Sequence, residues 1–582
     1  MKSLIINLPG MKPYFPPLGP ASLVAYLKQQ GVPNVSQRDL SIEFFQKISG
    51  ADVLKKILDE YVHPEVSRLE VKGDISEIEE IIYAHALQLE FNIKHVMPHV
   101  DTLHSEIKSE NTFKNFNELN SWSVNFTCLH YILSVIPEFI AMTYVSDPGD
   151  DEAKLIGGTN FLGRKDDCPQ LEFMFREDSL RVLDESFLYE AFDDVLSEVC
   201  KDRNLQLIGL SFIYPEQGAY LPVLARWIKR KRPDIHISVG GAFISLIEDL
   251  ISFNAFLFKD VDSYIPYEGE LPFLKLIKSF ESKARNLNIV PSLIYREGDG
   301  VRRNQFSDSM SLNDLPVPDY SDISVDDYYT PKPLIPIQTS RGCYWQKCAF
   351  CVHWHSNEKY RRRDTENVFR DMLSLNDSCG VEHFYLVDDS IHPNTMEEIA
   401  NFNYMNFKWG GSARVELSLT NDSFVKCIRK GGCQSLFVGF ESSNDRILKK
   451  MKKGVTREMQ QLFVDCLFKN GINVFPLFFI GFPGERNAEA METVDFAIRN
   501  RGKMTPSVVL ETFVMCRRSP VCRSSSGISL NYDIENQCKL INNYSYSVSS
   551  GMGSKYSLRL RNKIHDKYLK AVSSVPEVMY LF

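Results

Sequence analysis

The sequence predicts an α/β chain with two successive parallel sheets, the first doubly wound and split by a helical insertion, the second a partial (β/α)6 barrel. Three observations carry this expectation. Short apolar runs alternate with helix-period text at the start of the chain, again from residue 205, and once more from residue 334. Between the first two series, over 45–199, the alternation stops and the text turns mostly helical. Between the second and third lies a proline-punctuated stretch containing DLPVPDYSDI.

Composition narrows the function classes. At 582 residues with 44% hydrophobic content, the chain has material for two or three cores. A formal charge of -9 argues against nucleic acid or an anionic membrane as the main partner. The longest apolar runs, such as VFPLFFIGF at 474–482, fall short of a bilayer span, so no membrane span is expected. MKSLIINLPG does not read as an export signal, and a cytoplasmic location is expected. Thiols stay reduced there, so thirteen cysteines do not imply a disulfide framework.

In chain order, SLIINLP (3–9) reads as a buried strand, followed by a helix with Pro20 in its first turn, Leu23 and Leu27 on one face and Gly31 as its stop. A short second strand ends near Asp39. After the insertion come LQLIGLSF (205–212), the helix YLPVLARWIKRKR, IHISVGG (235–241) and DSYIPYEGE (262–270). These give a first domain over 1–285, with core 1–44 and 200–285 and insertion 45–199, followed by a linker over 286–330. In doubly wound sheets, ligands sit beyond the carboxyl ends of the strands. Gly209 to Ser211, Gly240 with Gly241, and Glu268, Gly269 and Glu270 stand at such ends, where glycine lets a flat ligand or a phosphate approach the backbone. Each could equally be a tight turn.

The second series offers LIPIQTS (334–340), EHFYLVDD (382–389), GGSARVEL (410–417), QSLFVGFE (434–441), NVFPLFFIGF (473–482) and SVVLETFV (507–514). Six β/α units are too few for a closed eight-stranded barrel, so an open TIM-like one is expected over 331–520. The C-terminal segment, 521–582, is expected to close the mouth or meet substrate.

RGCYWQKCAFCVHW, at the end of the first strand of this series, gathers Cys343, Cys348 and Cys351. Structural zinc wants a fourth ligand; no second cysteine pair follows, although His353 or His355 could complete a site. A redox pair would leave the third thiol idle. An iron-sulfur cube held by three cysteines leaves one iron open to a ligand, and three thiolates on one short loop fit it.

A cysteine triad leaving the first strand of a partial barrel, with an aromatic before its last cysteine, resembles the radical S-adenosylmethionine superfamily. The IGLSF, VGG and YEGE strand ends resemble the Rossmann-like cobalamin-binding domain of one class of those enzymes. The resemblance covers 1–44, 200–300 and 331 to about 520. It implies that Cys343, Cys348 and Cys351 hold a [4Fe-4S] cluster whose open iron chelates S-adenosylmethionine, and that one electron cleaves this to a 5'-deoxyadenosyl radical. Phe350 stands at the adenine position, Asp388 and Asp389 near the methionine amino group, and Arg414 and Glu441 near its carboxylate and the ribose. Ser211, Gly209, Gly240, Gly241, Glu268 and Gly269 would meet cobalamin. VGFESSNDRILKKMKKG and FFIGFPGE echo the family's fourth and fifth strands.

Two departures stand out. The first two cysteines are separated by four residues, YWQK, instead of three, and no Asp-x-His-x-x-Gly string supplies a histidine to the lower face of cobalt. Asp234-Ile-His236 reads instead as an exposed strand edge. The implied reaction is methylation of an unactivated carbon on a natural product or peptide, with an electron donor such as flavodoxin or ferredoxin as partner. Rearrangement or cyclisation without methyl transfer remains open. A methylthiotransferase would want three further clustered cysteines, whereas Cys128, Cys168 and Cys200 lie far apart. A non-catalytic cofactor-binding protein would not need an oxygen-labile cluster. No further catalytic residue is singled out, and His85, His95, His99 and His104 of the insertion read as ordinary packed or surface histidines.

Overall fold

The computed structural model describes residues 1–109, 112, 115–144, 169–282, 285–352, 359–505, 509–523, 528–530, 543–544, 546–564, 579 and 581. They fall into two compact units: Met1–Ser309 with Pro318–Tyr329, and Met310–Val317 with the described residues from Thr330 onward.

The first unit is built on β1 (Lys2–Asn7), β2 (Val35–Asp39), β3 (Leu205–Ser211), β4 (His236–Gly240), β5 (Ser263–Ile265), β6 (Ile294–Glu297) and β7 (Gly300–Arg303). Their order is β2-β1-β3-β4-β5-β6-β7, with the first five parallel. Leu4, Ile5, Ile6, Leu207 and Ile208 are buried, as befits strands covered on both faces. The winding reverses between β1 and β3, so the crevice at their carboxyl ends is the topological switch point. Gln217, fully buried, ties the two loops there: its amide donates to the Leu8 carbonyl at 2.8 Å and its Oε1 accepts from Ile213 N at 2.7 Å.

Three findings differ from expectation. Residues 294–303 are not linker: β6 and β7 form an antiparallel hairpin that extends the first sheet. His236 is buried, not exposed; its Nε2 meets Ser263 Oγ at 2.8 Å, and burial lowers its pKa to about 3. Among the described residues, the insertion contains one helix, Asn117–Thr143, long and apolar enough by length and composition to cross a membrane, and 67% of its most apolar window is buried. Trp122, Phe126 and Phe139 on it are fully covered, and Trp122 Nε1 donates to the Leu103 carbonyl at 2.8 Å. Apolar residues interleaved with Asn, Ser and His kept this segment from reading as an apolar run.

The second unit carries β8 (Leu334–Ile337), β9 (Ser340–Arg341), β10 (Arg361–Arg362), β11 (His383–Leu386), β12 (Lys408–Ala413), β13 (Cys433–Glu441), β14 (Asn473–Ile480) and β15 (Val509–Thr512). Six of these make one parallel sheet in the order β15-β14-β13-β12-β11-β8, the open (β/α)6 layout. The intervening helices have ordinary start and stop signals: Asn421 Oδ1 accepts from Ser423 N and Phe424 N, Thr456 caps Arg457–Lys469, and Gly380 ends Thr365–Cys379 at φ 67°. β9 and β10 pair antiparallel and pinch the base of the cysteine loop, with Arg341 opposite Arg361. His353 and His355, the alternative zinc ligands, lie outside the described residues.

Candidate functional site

The loop between β9 and β10 brings Cys343, Cys348 and Cys351 to the carboxyl end of the second sheet, all three as free thiols. Cys351 N donates to the Cys348 carbonyl at 3.3 Å, which folds the AFC end of the loop into a tight turn. Burial pushes the Cys348 thiol up, Lys453 and Arg414 pull it back, and Cys343 is near enough for its charge to be felt. Among the described residues, no three His, Cys, Asp or Glu side chains converge on a single-ion site. A cube takes each thiolate on its own iron, so its ligands stand at the corners of a wider triangle, and soft thiolates beside buried cations suit its anionic core.

The loop is shaped by the turn Met451–Gly454, which follows the short helix Asp445–Lys450. Three consecutive carbonyls of this turn each hold a different part of the site. The Met451 carbonyl accepts Ala349 N at 2.8 Å, that of Lys452 accepts Trp345 Nε1 at 2.9 Å, and that of Lys453 accepts Arg414 Nη2 at 2.7 Å. Gly454, at φ +77°, lies against the indole of Trp345, and a Cβ there would overlap the ring. Arg414, 5% exposed, points Nη1 at Cys348 Sγ from 3.8 Å and shares Glu416 with Tyr344: Arg414 Nε at 3.2 Å and Tyr344 OH at 3.0 Å both donate to Oε1.

Lys453 Nζ donates to Glu441 Oε1 at 2.9 Å in a nearly buried pair and sits 5.7 Å from the centre of the Phe350 ring. Glu441 reaches this position through a break in the β13–β14 register and a left-handed φ of 64°, a conformation that a non-glycine residue seldom adopts without cause. Phe350 packs edge-on to Phe479 at 5.3 Å, against a cluster of Ala349, Phe482, Phe513, Val521 and Tyr546. The C-terminal segment thus reaches the loop, and Val521 N donates to the Ala349 carbonyl at 2.8 Å.

Asp388 is turned into the fold. Its carboxylate accepts Thr339 N at 3.0 Å, Thr339 Oγ1 at 2.7 Å, Ser340 N at 2.5 Å and Ser340 Oγ at 3.0 Å, fixing the exit of β8 just ahead of the first cysteine. Burial holds it up at about 6 despite these donors. That occupancy makes Asp388 a clamp on the loop, where the sequence suggested a cofactor contact; Asp389 next to it is exposed. Glu485, at the end of GFPGE, is fully buried and accepts from Gly481 N at 2.5 Å and Phe482 N at 3.3 Å. Burial pushes it up to about 7.

At the edge of the first sheet the structure separates the glycines. A Cβ on Gly209 would come within 2.9 Å of Phe273 and 3.0 Å of Ile5, so this glycine serves packing between the sheet and the helix Glu270–Glu281 and not ligand approach. Gly241, at φ +110°, lies against the Phe212 backbone and leaves no room for a Cβ. Ser211, Gly240, Glu268 and Gly269 are half-buried at the strand ends, and Gly269 has open space where its Cβ would be. Tyr267 adopts φ 64° between them, its N donating to Ser245 Oγ at 2.8 Å. At the switch point a narrow crevice is lined by Gly10, Met11, Ser41 and Tyr220 together with His130 and Ser134 of the insertion. His130 Nε2 lies 3.2 Å from the Gly10 carbonyl.

Sequence reasoning missed Trp345, Lys453, Glu416, Gln217 and Tyr267. MKKG was visible as a motif, but not the direction of its carbonyls. A left-handed tyrosine leaves no mark in the text at all.

Residues 337–497 match the model of the radical SAM superfamily. An uncharacterized methyltransferase of Pyrococcus horikoshii is 25% identical over 363 residues, which is 61% of this chain and 76% of the relative. The cytidylyl-2-hydroxyethylphosphonate methyltransferase of Streptomyces wedmorensis is 22% identical over 358 residues, 54% of this chain and 66% of the relative. In fold the chain is similar to the cobalamin-dependent S-adenosylmethionine radical enzyme OxsB, solved with aqua-cobalamin and S-adenosylmethionine bound. That match has a TM-score of 0.51 and 17% identity, and covers 68% of this chain and 63% of that one.

Proposed function

For a chain that belongs to the radical S-adenosylmethionine superfamily and shares its fold with a cobalamin-dependent member, we propose methylation of an unactivated carbon on a small natural product or a peptide. The observation that carries the reading is the set of three carbonyls at 451–453, which holds the cysteine loop and sets Arg414 beside Cys348. Two relatives named as methyltransferases favour methyl transfer over other radical chemistry.

In this reading Cys343, Cys348 and Cys351 hold the cluster, and Phe350 offers its ring to the adenine. Arg414 and Lys453 present cations to the methionine carboxylate, while Glu441 anchors Lys453 and faces the ribose. Asp389 takes the amino group, and Asp388 fixes the start of the loop. Ser211, Gly240, Gly241, Glu268 and Gly269 give the corrinoid a backbone edge to approach. When bound, the cluster supplies the electron that cleaves S-adenosylmethionine, and cobalamin supplies the methyl group. The protein's part is to bind, orient and exclude water, which the buried Lys453–Glu441 pair and the apolar packing around Phe350 serve. A low-potential donor of the flavodoxin or ferredoxin kind, in the reducing cytoplasm, would provide the electron.

Anaerobic reconstitution with iron, sulfide and cobalamin, followed by reduction with dithionite or reduced flavodoxin, tests this. Deoxyadenosine and S-adenosylhomocysteine should both form from S-adenosylmethionine, the latter only with cobalamin present. A colourless, iron-free product would end the radical reading, and deoxyadenosine without cobalamin-dependent S-adenosylhomocysteine would remove the methyl transfer.

A further inference from the structure

The four-residue spacer YWQK places an indole where it has three separate attachments. Trp345 Nε1 donates to the Lys452 carbonyl at 2.9 Å, its face abuts Gly454, and the Arg414 guanidinium carbon lies 4.2 Å from its ring centre. Lys347 Nζ lies 4.8 Å from the same ring centre. Gln346, the next residue, takes φ 50°, so the extra residue is accommodated by a left-handed kink that turns Trp345 onto the Met451–Gly454 turn. Arg414 is therefore held on three sides: by the indole, by the Lys453 carbonyl and by Glu416, which leaves Nη1 directed at Cys348 Sγ.

We propose that Trp345 is a positioning residue that, through Arg414, sets the reduction potential of the cluster and the binding of the S-adenosylmethionine carboxylate, and that the lengthened spacer exists to supply it. The inference rests on the reading that the three thiolates hold a [4Fe-4S] cluster. A guanidinium directed at a ligating sulfur stabilises the reduced, more negative cluster and raises its potential. An aromatic face holds a planar cation without taking up its N–H groups, so the same arginine keeps a donor for sulfur and can present another to a carboxylate. Without the indole, Arg414 keeps Glu416 and the Lys453 carbonyl but gains freedom to swing toward solvent.

The test compares W345F and W345L with the parent protein. Leucine fills much of the space without a π face, whereas phenylalanine keeps a π face and gives up the N–H and the second ring. Midpoint potentials are read by EPR-monitored redox titration of the reconstituted proteins, and hydrogen exchange of the 344–352 loop is followed in the apoprotein. W345L should lower the potential by about 59 mV, the one-electron equivalent of a tenfold change. It should also weaken S-adenosylmethionine binding about tenfold, while W345F restores most of both. Faster exchange at Ala349 is expected in W345L alone. A W345L protein with the parent's iron content, potential and affinity overturns the inference while leaving the proposed function standing. If W345L loads no iron, W345F decides: a potential as low as that expected for W345L overturns it, and one near the parent value supports it. Failure of the parent itself to load a cluster would instead defeat the underlying reading.

Discussion

At the cysteine edge of the second unit, the deciding groups are side chains held by backbone: thiols, Arg414 and Lys453 are fixed by carbonyls 451–453, by Glu416 and by Glu441. At the glycine edge of the first unit the relation is inverted and backbone meets backbone: Gly240 and Gly241 lie against the Ile265 and Phe212 main chain, Gly269 has open space where its Cβ would be, and Tyr267 bends the chain between them. The difference follows from what each edge would hold. In the proposed reading, a charged cluster with a zwitterionic ligand needs directed charge, whereas a broad macrocycle with an amide-bearing rim needs backbone groups it can approach. Mutations should therefore act through chemistry at one edge and through shape at the other.

The sharpest way to break that contrast is C348A. It should abolish cluster loading and deoxyadenosine formation while leaving cobalamin uptake intact, measured by iron content and by the corrinoid absorption of the purified protein. Loss of cobalamin as well would show that the two edges are not independent.

K453M comes next. It strands Glu441 as an unpaired buried carboxylate and should cost about 3–5 kcal/mol of stability, whereas K453M/E441Q should recover most of it. Equal losses in the single and double variants, by denaturant unfolding, would show that the pair contributes through packing alone.

G241A probes the other edge, where a Cβ meets the Phe212 backbone at a left-handed φ. A cost of about 2–4 kcal/mol is expected, together with weakened cobalamin binding and a cluster unchanged by EPR. A normal corrinoid spectrum in a stable G241A protein would remove Gly241 from that edge.

The smallest effect is expected at Glu485. Its folded-state value of about 7 stands above the ordinary 4.5, so the folded chain keeps a proton that the unfolded chain has lost. Its contribution is full below about pH 4.5 and is lost as pH rises through about 7, at a cost of about 3 kcal/mol by pH 8. Comparing urea midpoints at pH 5 and pH 8, the parent should lose more stability than E485Q, which carries no titrating group there. Parallel losses in both would show that Glu485 titrates normally.

How much was legible depended on which edge was being read. Cys343, Cys348 and Cys351 stood out because three thiols gathered within nine residues are easily seen in the text, and the six strands of the second sheet could be read because their text is apolar and bounded by helix caps. Gly209 and Gly241 looked alike on the page. Only their neighbours, the Phe273 and Ile5 side chains for one and the Phe212 backbone for the other, show that the first packs sheet against helix and the second packs loop against loop. Asp388 read as a ligand because carboxylates at strand ends often are; four donors from Thr339 and Ser340 give it a different task. The β6–β7 hairpin hid inside proline-rich text because antiparallel edge strands are short and half-exposed.

By itself, then, the sequence determined the two parallel sheets and the helical interruption and singled out the three thiols as a cluster in the text, since periodicity and residue spacing are local properties of the chain. Tertiary structure alone decided which carbonyls receive Trp345 and Arg414, what Gly209 and Gly241 pack against, and where Lys453 points. Those outcomes depend on groups brought together from separate elements, 12 residues apart for Lys453 and Glu441 and 107 for Trp345 and Lys452, and no local pattern records where such groups meet.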